Sequence, residues 1–315
     1  MAAAISQNVS NAGTQGYRRV DVITSEMNFS GPGNVPFLPG GVSTQAVTQD
    51  QPWLDGRLNM AVSQDAAAQG FQTTLRDFSE AADTSGMERA FSNFMAVSQE
   101  ALTNPTNSEV IARLQATLGG FVVSVNQFEE RVQQSLARQE AQQQFTADEL
   151  GAENIDPMRS NELMGEMQGR SRALNGPILD IMTDINNILA QVETDINSVY
   201  GKDIIGRNPS NGRMVSNFEE GGNFTALSEF SSQQFNTDLG ATQSALGVAL
   251  QSAENNRQFT QSEVQGAQQA WDDVYGVNLT QEAVKLKETQ LYQQANAAVF
   301  KVASEMTDTL ISLMA

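Results

Sequence analysis

At 315 residues with 40% hydrophobic content, the chain is long enough for one large domain or two ordinary ones with a real core. Its 37 acids against 18 bases give a net charge of −19; phosphates are repelled by such a surface, which argues against nucleic acid or an anionic membrane as partner. Cysteine and histidine are both absent, so disulfides, thiolate or HExxH metal sites, Ser/His/Asp triads and Cys/His dyads are excluded, and neither a cofactor nor a metal is expected.

The first seven residues, MAAAISQ, carry no positive charge and only a short apolar patch, unlike a cleaved secretory signal. Next comes NVSNAGTQGYRR, from Asn8 to Arg19, which is turn composition ahead of a β-prone run. YRRVDVIT and GGVSTQAVT alternate and are β-branched, so a small hairpin is predicted over about 20–48, its strands separated by SGPGNVPFLPGG. From Trp53 the period becomes helical, with Leu54, Leu58 and Val62 on one face and Phe71, Leu75 and Phe78 on another. A second helix carries Met87, Phe91, Phe94 and Met95 and stops at Asn104, because the residue before a proline disfavours helix.

Asn107 or Ser108 then caps a long helix. Its Ile111, Leu114, Leu118, Phe121, Val125, Phe128 and Val132 step by three and four, a coiled-coil seam of about three heptads. Residues 139–175 are polar and glutamine-rich and read as helix ends around a loop at Asp156 and Pro157. Pro177 opens a second seam of Ile178, Ile181, Ile185, Ile188, Val192, Ile196 and Val199. The two seams are expected to pair antiparallel. Residues 200–223 hold five glycines and a proline and read as an exposed excursion.

A further long helix is predicted from about Ser231 to Trp271, with Leu239, Leu246, Leu250 and Ala253 on one face. After a break at Gly276, a last helix carries Leu291, Ala295, Ala298, Val302, Met306, Leu310 and Leu313. A soluble chain with such a stripe near its end needs something to cover it. The doublets Glu219–Glu220 and Asp272–Asp273 read as solvated charge rather than as acid/base pairs. No catalytic role is expected of any residue.

Two segments resemble known signatures. NVSNAGTQGYRR resembles the N-terminal motif of the flagellar axial proteins, N-I-A-N-x-N-T-x-G-Y-x-R, at Asn8, Asn11, Thr14, Gly16, Tyr17 and Arg19. GVNLTQEAVKL resembles their C-terminal motif, G-V-N-L-x-x-E-A-x-x-L, at Gly276, Val277, Asn278, Leu279, Glu282, Ala283 and Leu286. Within that superfamily the chain is most similar to the hook-associated protein 1 family, through GGVSTQAVTQDQPWLDGRL and the long-helix segment around Asn104–Pro105. It departs from the pattern at Gly13, where asparagine is usual, and at Gln15, where proline is usual. Only seven residues precede Asn8, where the family has several more helical turns.

The resemblance implies a mainly α fold: a long-helix coiled-coil bundle, a small β-hairpin near the N-terminus, and terminal helices forming an inner tube domain. Residues 1–16 and 276–315 are expected to form that domain and 17–275 the bundle, without the outer β-domains of the family. It implies a structural subunit of the bacterial flagellum at the junction of hook and filament, extracellular and exported without a cleaved signal. Its partners would be further copies of itself, the hook protein, the filament-side junction protein and an export chaperone on the C-terminal helix. Gly16 would supply the turn geometry, Tyr17 would anchor the exit, Asn8 and Asn11 would cap peptide groups, and neighbouring subunits would bury the Leu291–Leu313 stripe. The alternatives are another axial protein of hook, rod or filament side, or a secreted coiled-coil binding or translocator protein that does not polymerise.

Overall fold

The computed structural model describes residues 1–14, 16–26, 42–48, 50–217 and 232–314. It is mainly α, as the periodicity implies. In chain order the elements are α1 (Ala2–Ser10), β1 (Val20–Glu26), β2 (Val42–Thr48), α2 (Pro52–Ala81), α3 (Ser85–Thr103), α4 (Ser108–Leu150), α5 (Pro157–Ala173), α6 (Leu179–Tyr200), β3 (Ile205–Arg207), β4 (Met214–Ser216), α7 (Ser232–Tyr275) and α8 (Leu279–Met314). The connection between β1 and β2, Gln15 and the excursion beyond residue 217 lie outside the described residues.

Two compact units result: Met1–Leu58 with Gln265–Ala315, and Asn59–Val264. The division therefore falls elsewhere than the expected boundaries at 16/17 and 275/276. The hairpin, the start of α2 and the end of α7 go with the terminal helices, because Val20, Asp21, Gln51 and Tyr275 bond to residues of that group or to one another's neighbours.

In the Asn59–Val264 unit, the core is a continuous cluster from α2, α3, α4, α6 and α7, including Leu75, Phe91, Leu118, Val125, Ile185, Val192 and Leu239. Phe91 is its hub: its ring lies 5.1 Å from that of Phe121, within the range in which tilted aromatic pairs attract, and closer still, 4.3 Å, to that of Phe235. The Asn107 side chain caps α4 by accepting from the Glu109 N–H at 2.9 Å.

The two seams are antiparallel. Arg159 pairs with Glu149 at 2.9 Å, Arg170 bonds to Gln142, and Ile185 lines one cavity with Val132, so numbers rise along α5–α6 as they fall along α4. Register differs slightly from expectation. Val110 rather than Ile111, Leu189 rather than Ile188, and Tyr200 rather than Val199 are the fully buried members, since a helix turns about 100° per residue and a real core takes the neighbour that points most directly inward.

Helix α4 also continues beyond Arg138 to Leu150, 43 residues and about 65 Å. Its buried stripe goes on, but in polar residues: Ser135, Gln139 and Thr146. Gln139 donates to the Asp77 carboxylate at 2.7 Å and accepts from Thr74 at 3.2 Å and Arg170 at 3.1 Å, so the buried amide is satisfied rather than costly. The kink before α6 sits at Gly176, whose φ/ψ of −119°/−109° leave the helical region just ahead of Pro177. On α5, Gly165 and Gly169 face Ser63 and Ala67 of α2 so closely that a Cβ would overlap their carbonyl oxygens, as it would at Gly70 against Glu166. Only glycine permits that backbone contact.

The segment after Tyr200 is not simply exposed, contrary to expectation. Ile204, Ile205 and Met214 are buried, because two asparagines hold the β3–β4 hairpin down. Asn197 bonds both the N–H and the C=O of Ile205, at 3.1 and 2.8 Å, and Asn126 does the same for Met214, at 2.9 and 2.8 Å.

Two measurements check this core. Leu118, fully buried, should lose on the order of 2–5 kcal/mol as Leu118→Ala in a denaturant melt. Burial pushes the Tyr200 phenol up to about 12, partly opposed by its contact with Ser98. The unfolded phenol ionises near 10, so the fold favours the protonated form; that stabilisation is present below pH 10 and lost as pH rises through 12, about 2–3 kcal/mol in all. Thermal melts should therefore fall more steeply over that window for the parent than for Tyr200→Phe, and equal slopes would contradict a buried hydroxyl.

Candidate functional site: the joint of the two terminal motifs

Within the unit of Met1–Leu58 and Gln265–Ala315, α1 packs against both β1 and α8, and β1 reaches α8 through Asp21 and Lys285. Asn8 is at the centre, a polar side chain only 1% exposed, buried on the same helix as Ile5. Its Oδ1 accepts from the Val20 N–H and from the Tyr17 hydroxyl, both at 2.9 Å. Its Nδ2 donates to the Val20 carbonyl at 3.0 Å and to Glu282 Oε2 at 3.2 Å. Every capacity of the amide is used.

Glu282 is equally buried, at 1% exposed. Its other oxygen accepts from Lys285 Nζ at 3.2 Å; that ammonium also bonds Asp21 at 3.2 Å, and Asp21 in turn pairs with Arg19 at 3.3 Å. Charges alternate along the chain of contacts, so the carboxylate is compensated. Burial first and the Glu282 charge second raise the Tyr17 phenol above its ordinary pKa.

The turn that delivers these groups is closed by Tyr17 N–H on the Thr14 carbonyl at 3.1 Å. Gly16, third in that turn, has φ +77°, the left-handed geometry a side chain resists. Asn11 ends α1 and donates its amide to the Gln7 carbonyl at 2.9 Å. Thr14 and Gly16 are otherwise exposed.

At the other end, Asn278 caps α8, accepting from Thr280 and Gln281 N–H at 3.0 and 3.2 Å. Gly276 closes α7 through its N–H on Asp272 O at 2.7 Å, so close that a Cβ would overlap that carbonyl. Val277 is half-buried. Leu279, Ala283 and Leu286, at i, i+4 and i+7, share an exposed face and do not enter the joint.

A second cluster was not signalled by either motif. Arg18 reaches Asp50 at 2.8 Å and Asp55 at 2.6 Å and lies 4.8 Å over the Tyr275 ring; Asp55 also accepts from Trp271 Nε1 at 3.0 Å. The Tyr275 hydroxyl accepts from Gln51 N–H at 2.6 Å and its carbonyl from Arg19 N–H at 2.9 Å. These partners lie far apart in sequence and carry no periodic signal, whereas Asn8, Tyr17 and Glu282 of the joint fall inside motifs.

The expected stripe is uncovered. Leu291, Val302 and Met306 are 57%, 55% and 63% exposed, Ala295 and Ala298 are exposed too, and Tyr292, Val299 and Phe300 widen the patch. Leu310 and Leu313 are helical, with side chains outside the described residues. The face that meets α1 and β1 carries Glu282, Lys285 and Thr289; Leu291, two residues on, points about 160° away. Among the described residues no group of acidic side chains is arranged to hold a metal, and no helix is long and apolar enough to cross a membrane. What the site can do is hold two chain ends in one register. Comparison with protein-family models, curated proteins and solved structures finds no match to the chain.

Both tryptophans, Trp53 and Trp271, belong to this unit, so their fluorescence reports its unfolding. Asn8→Asp keeps the shape but removes the donor to Val20 and sets a second carboxylate against Glu282. It should lower the fluorescence-detected stability at neutral pH by about 2–4 kcal/mol while the circular-dichroism melt of the bundle moves little. An unchanged fluorescence melt would show that the Asn8 bonds carry no weight.

Proposed function

We propose that the chain is a structural subunit of the bacterial flagellum, at the junction between hook and filament, and that it self-assembles through its terminal helices. The observation that carries the reading is the joint itself: residues from two motifs 274 positions apart, Asn8 and Glu282, share a buried hydrogen bond, and the helix leaving the joint presents apolar side chains that no described residue covers. Burial of each large member of that stripe contributes about 1.5–3 kcal/mol, enough in sum to drive association. The roles are positional: Asn8, Tyr17 and Glu282 lock the ends, Gly16 and Gly276 shape the two turns, and the α8 stripe meets neighbouring copies. The hook protein and the filament-side junction protein are its axial neighbours, an export chaperone is a fitting partner for α8 before assembly, and no chemical reaction is assigned.

The second reading, a secreted coiled-coil binding protein that stays monomeric, is favoured only by the self-contained core of the bundle. Co-sedimentation with isolated hooks separates the two. The full chain should pellet with hooks, whereas a chain ending at Asn278 should remain in solution as a helical, cooperatively melting bundle. Gly16→Val should bind hooks several-fold less at unchanged helicity, since valine tolerates positive φ poorly. Hook binding by the truncated chain would sink the assembly reading.

A further inference from the structure

Charge is divided unevenly between the two units. Residues 59–264 hold 12 bases against 27 acids, a net −15, whereas residues 1–58 and 265–315 hold 6 bases against 10 acids, a net −4. The excess is written into single helices. In α6, LDIMTDINNILAQVETDINSVY, there are four acids and no base, and Asp180 and Asp184 are fully outward. The apolar stripe of α8 lies in the nearly neutral unit.

We infer that self-association of this chain is gated by ionic strength, with small cations in the ion atmosphere as the permissive ligand. The inference rests on the assembly reading above. Copies that bury their α8 stripes against one another bring chains of −15 units into a common volume, because each acidic unit is covalently tied to a stripe. Between exposed charges the repulsion reaches about 30 Å at 0.01 M salt, about 10 Å at 0.1 M and about 3 Å at 1 M. In dilute salt it therefore spans neighbouring units and opposes burial of the stripe; in concentrated salt it is confined to each surface and burial wins. Screening, not site binding, is the mechanism, as no acidic group among the described residues is arranged to hold a metal.

The experiment titrates sodium chloride, 0.01 to 0.5 M, against the full chain by itself, and reads the self-associated fraction that pellets. The parent should rise several-fold over that range. The double variant Asp180→Lys, Asp184→Lys moves the bundle from −15 toward −11 at two exposed positions, and should reach half-association at lower salt with unchanged helicity. A pelleted fraction that is flat or falls with salt overturns the inference. So does a variant curve that coincides with the parent's, because salting-out of the stripe alone predicts that result. A chain that never pellets at any salt overturns the assembly reading itself, and this inference with it.

Discussion

One side-chain amide can stand in for a peptide unit, and the terminal unit depends on that equivalence at Asn8. A helix offers few lateral hydrogen-bonding groups to a strand, since its backbone N–H and C=O groups point along its own axis. A two-stranded hairpin, in turn, is marginal in water by itself. Asn8 resolves both by giving Val20 the donor and acceptor that a third strand would have supplied. The same device recurs at Asn197 on Ile205 and at Asn126 on Met214, one on each strand of the β3–β4 hairpin. There each amide pairs with the outer edge of its strand at one residue, which shortens the edge open to another chain. What is particular to Asn8 is the fourth bond, to Glu282. It ties the position of the hairpin to the register of α8, so the two ends of the chain leave the joint in a fixed relation.

Much of this architecture is legible in the residues. Hydrophobic spacing finds the long helices because apolar side chains recur at their period, and the Asn107 cap and the Asn104–Pro105 stop follow from local backbone chemistry. The reading loses α4 after Arg138 for a physical reason: the inward positions become Ser135, Gln139 and Thr146, and a buried polar layer has no hydrophobic period. That layer makes sense only once Asp77, Thr74 and Arg170 are brought alongside, which is a property of the fold. The glycine contacts between α2 and α5 are hidden similarly, because glycine spacing alone does not say which backbone approaches.

At the joint, motif likeness picks out Asn8, Tyr17, Gly276 and Glu282 but gives Leu279, Ala283 and Leu286 the same weight. The structure separates them: the first group is buried or geometrically constrained, the second lies on an open face. Lys285, Asp21 and the Arg18–Tyr275 cluster are invisible to spacing because their partners come from other segments. Helix α8 thus carries two differently occupied stretches, its first turns engaged by α1 and β1 through Glu282 and Lys285, and the apolar stripe beyond Thr289 left open. That arrangement is costly for a solitary chain and useful for one that closes on its neighbours.

Amide hydrogen exchange along α8 tests this claim most directly, because it reads cover residue by residue. A helix held by few tertiary contacts is marginal in water. The account predicts fast exchange over 290–309 in the free chain and slow exchange there once copies associate, with 110–132 in α4 protected in both. Strong protection of 290–309 in the free chain would mean that the stripe is already covered without neighbours, and would contradict it.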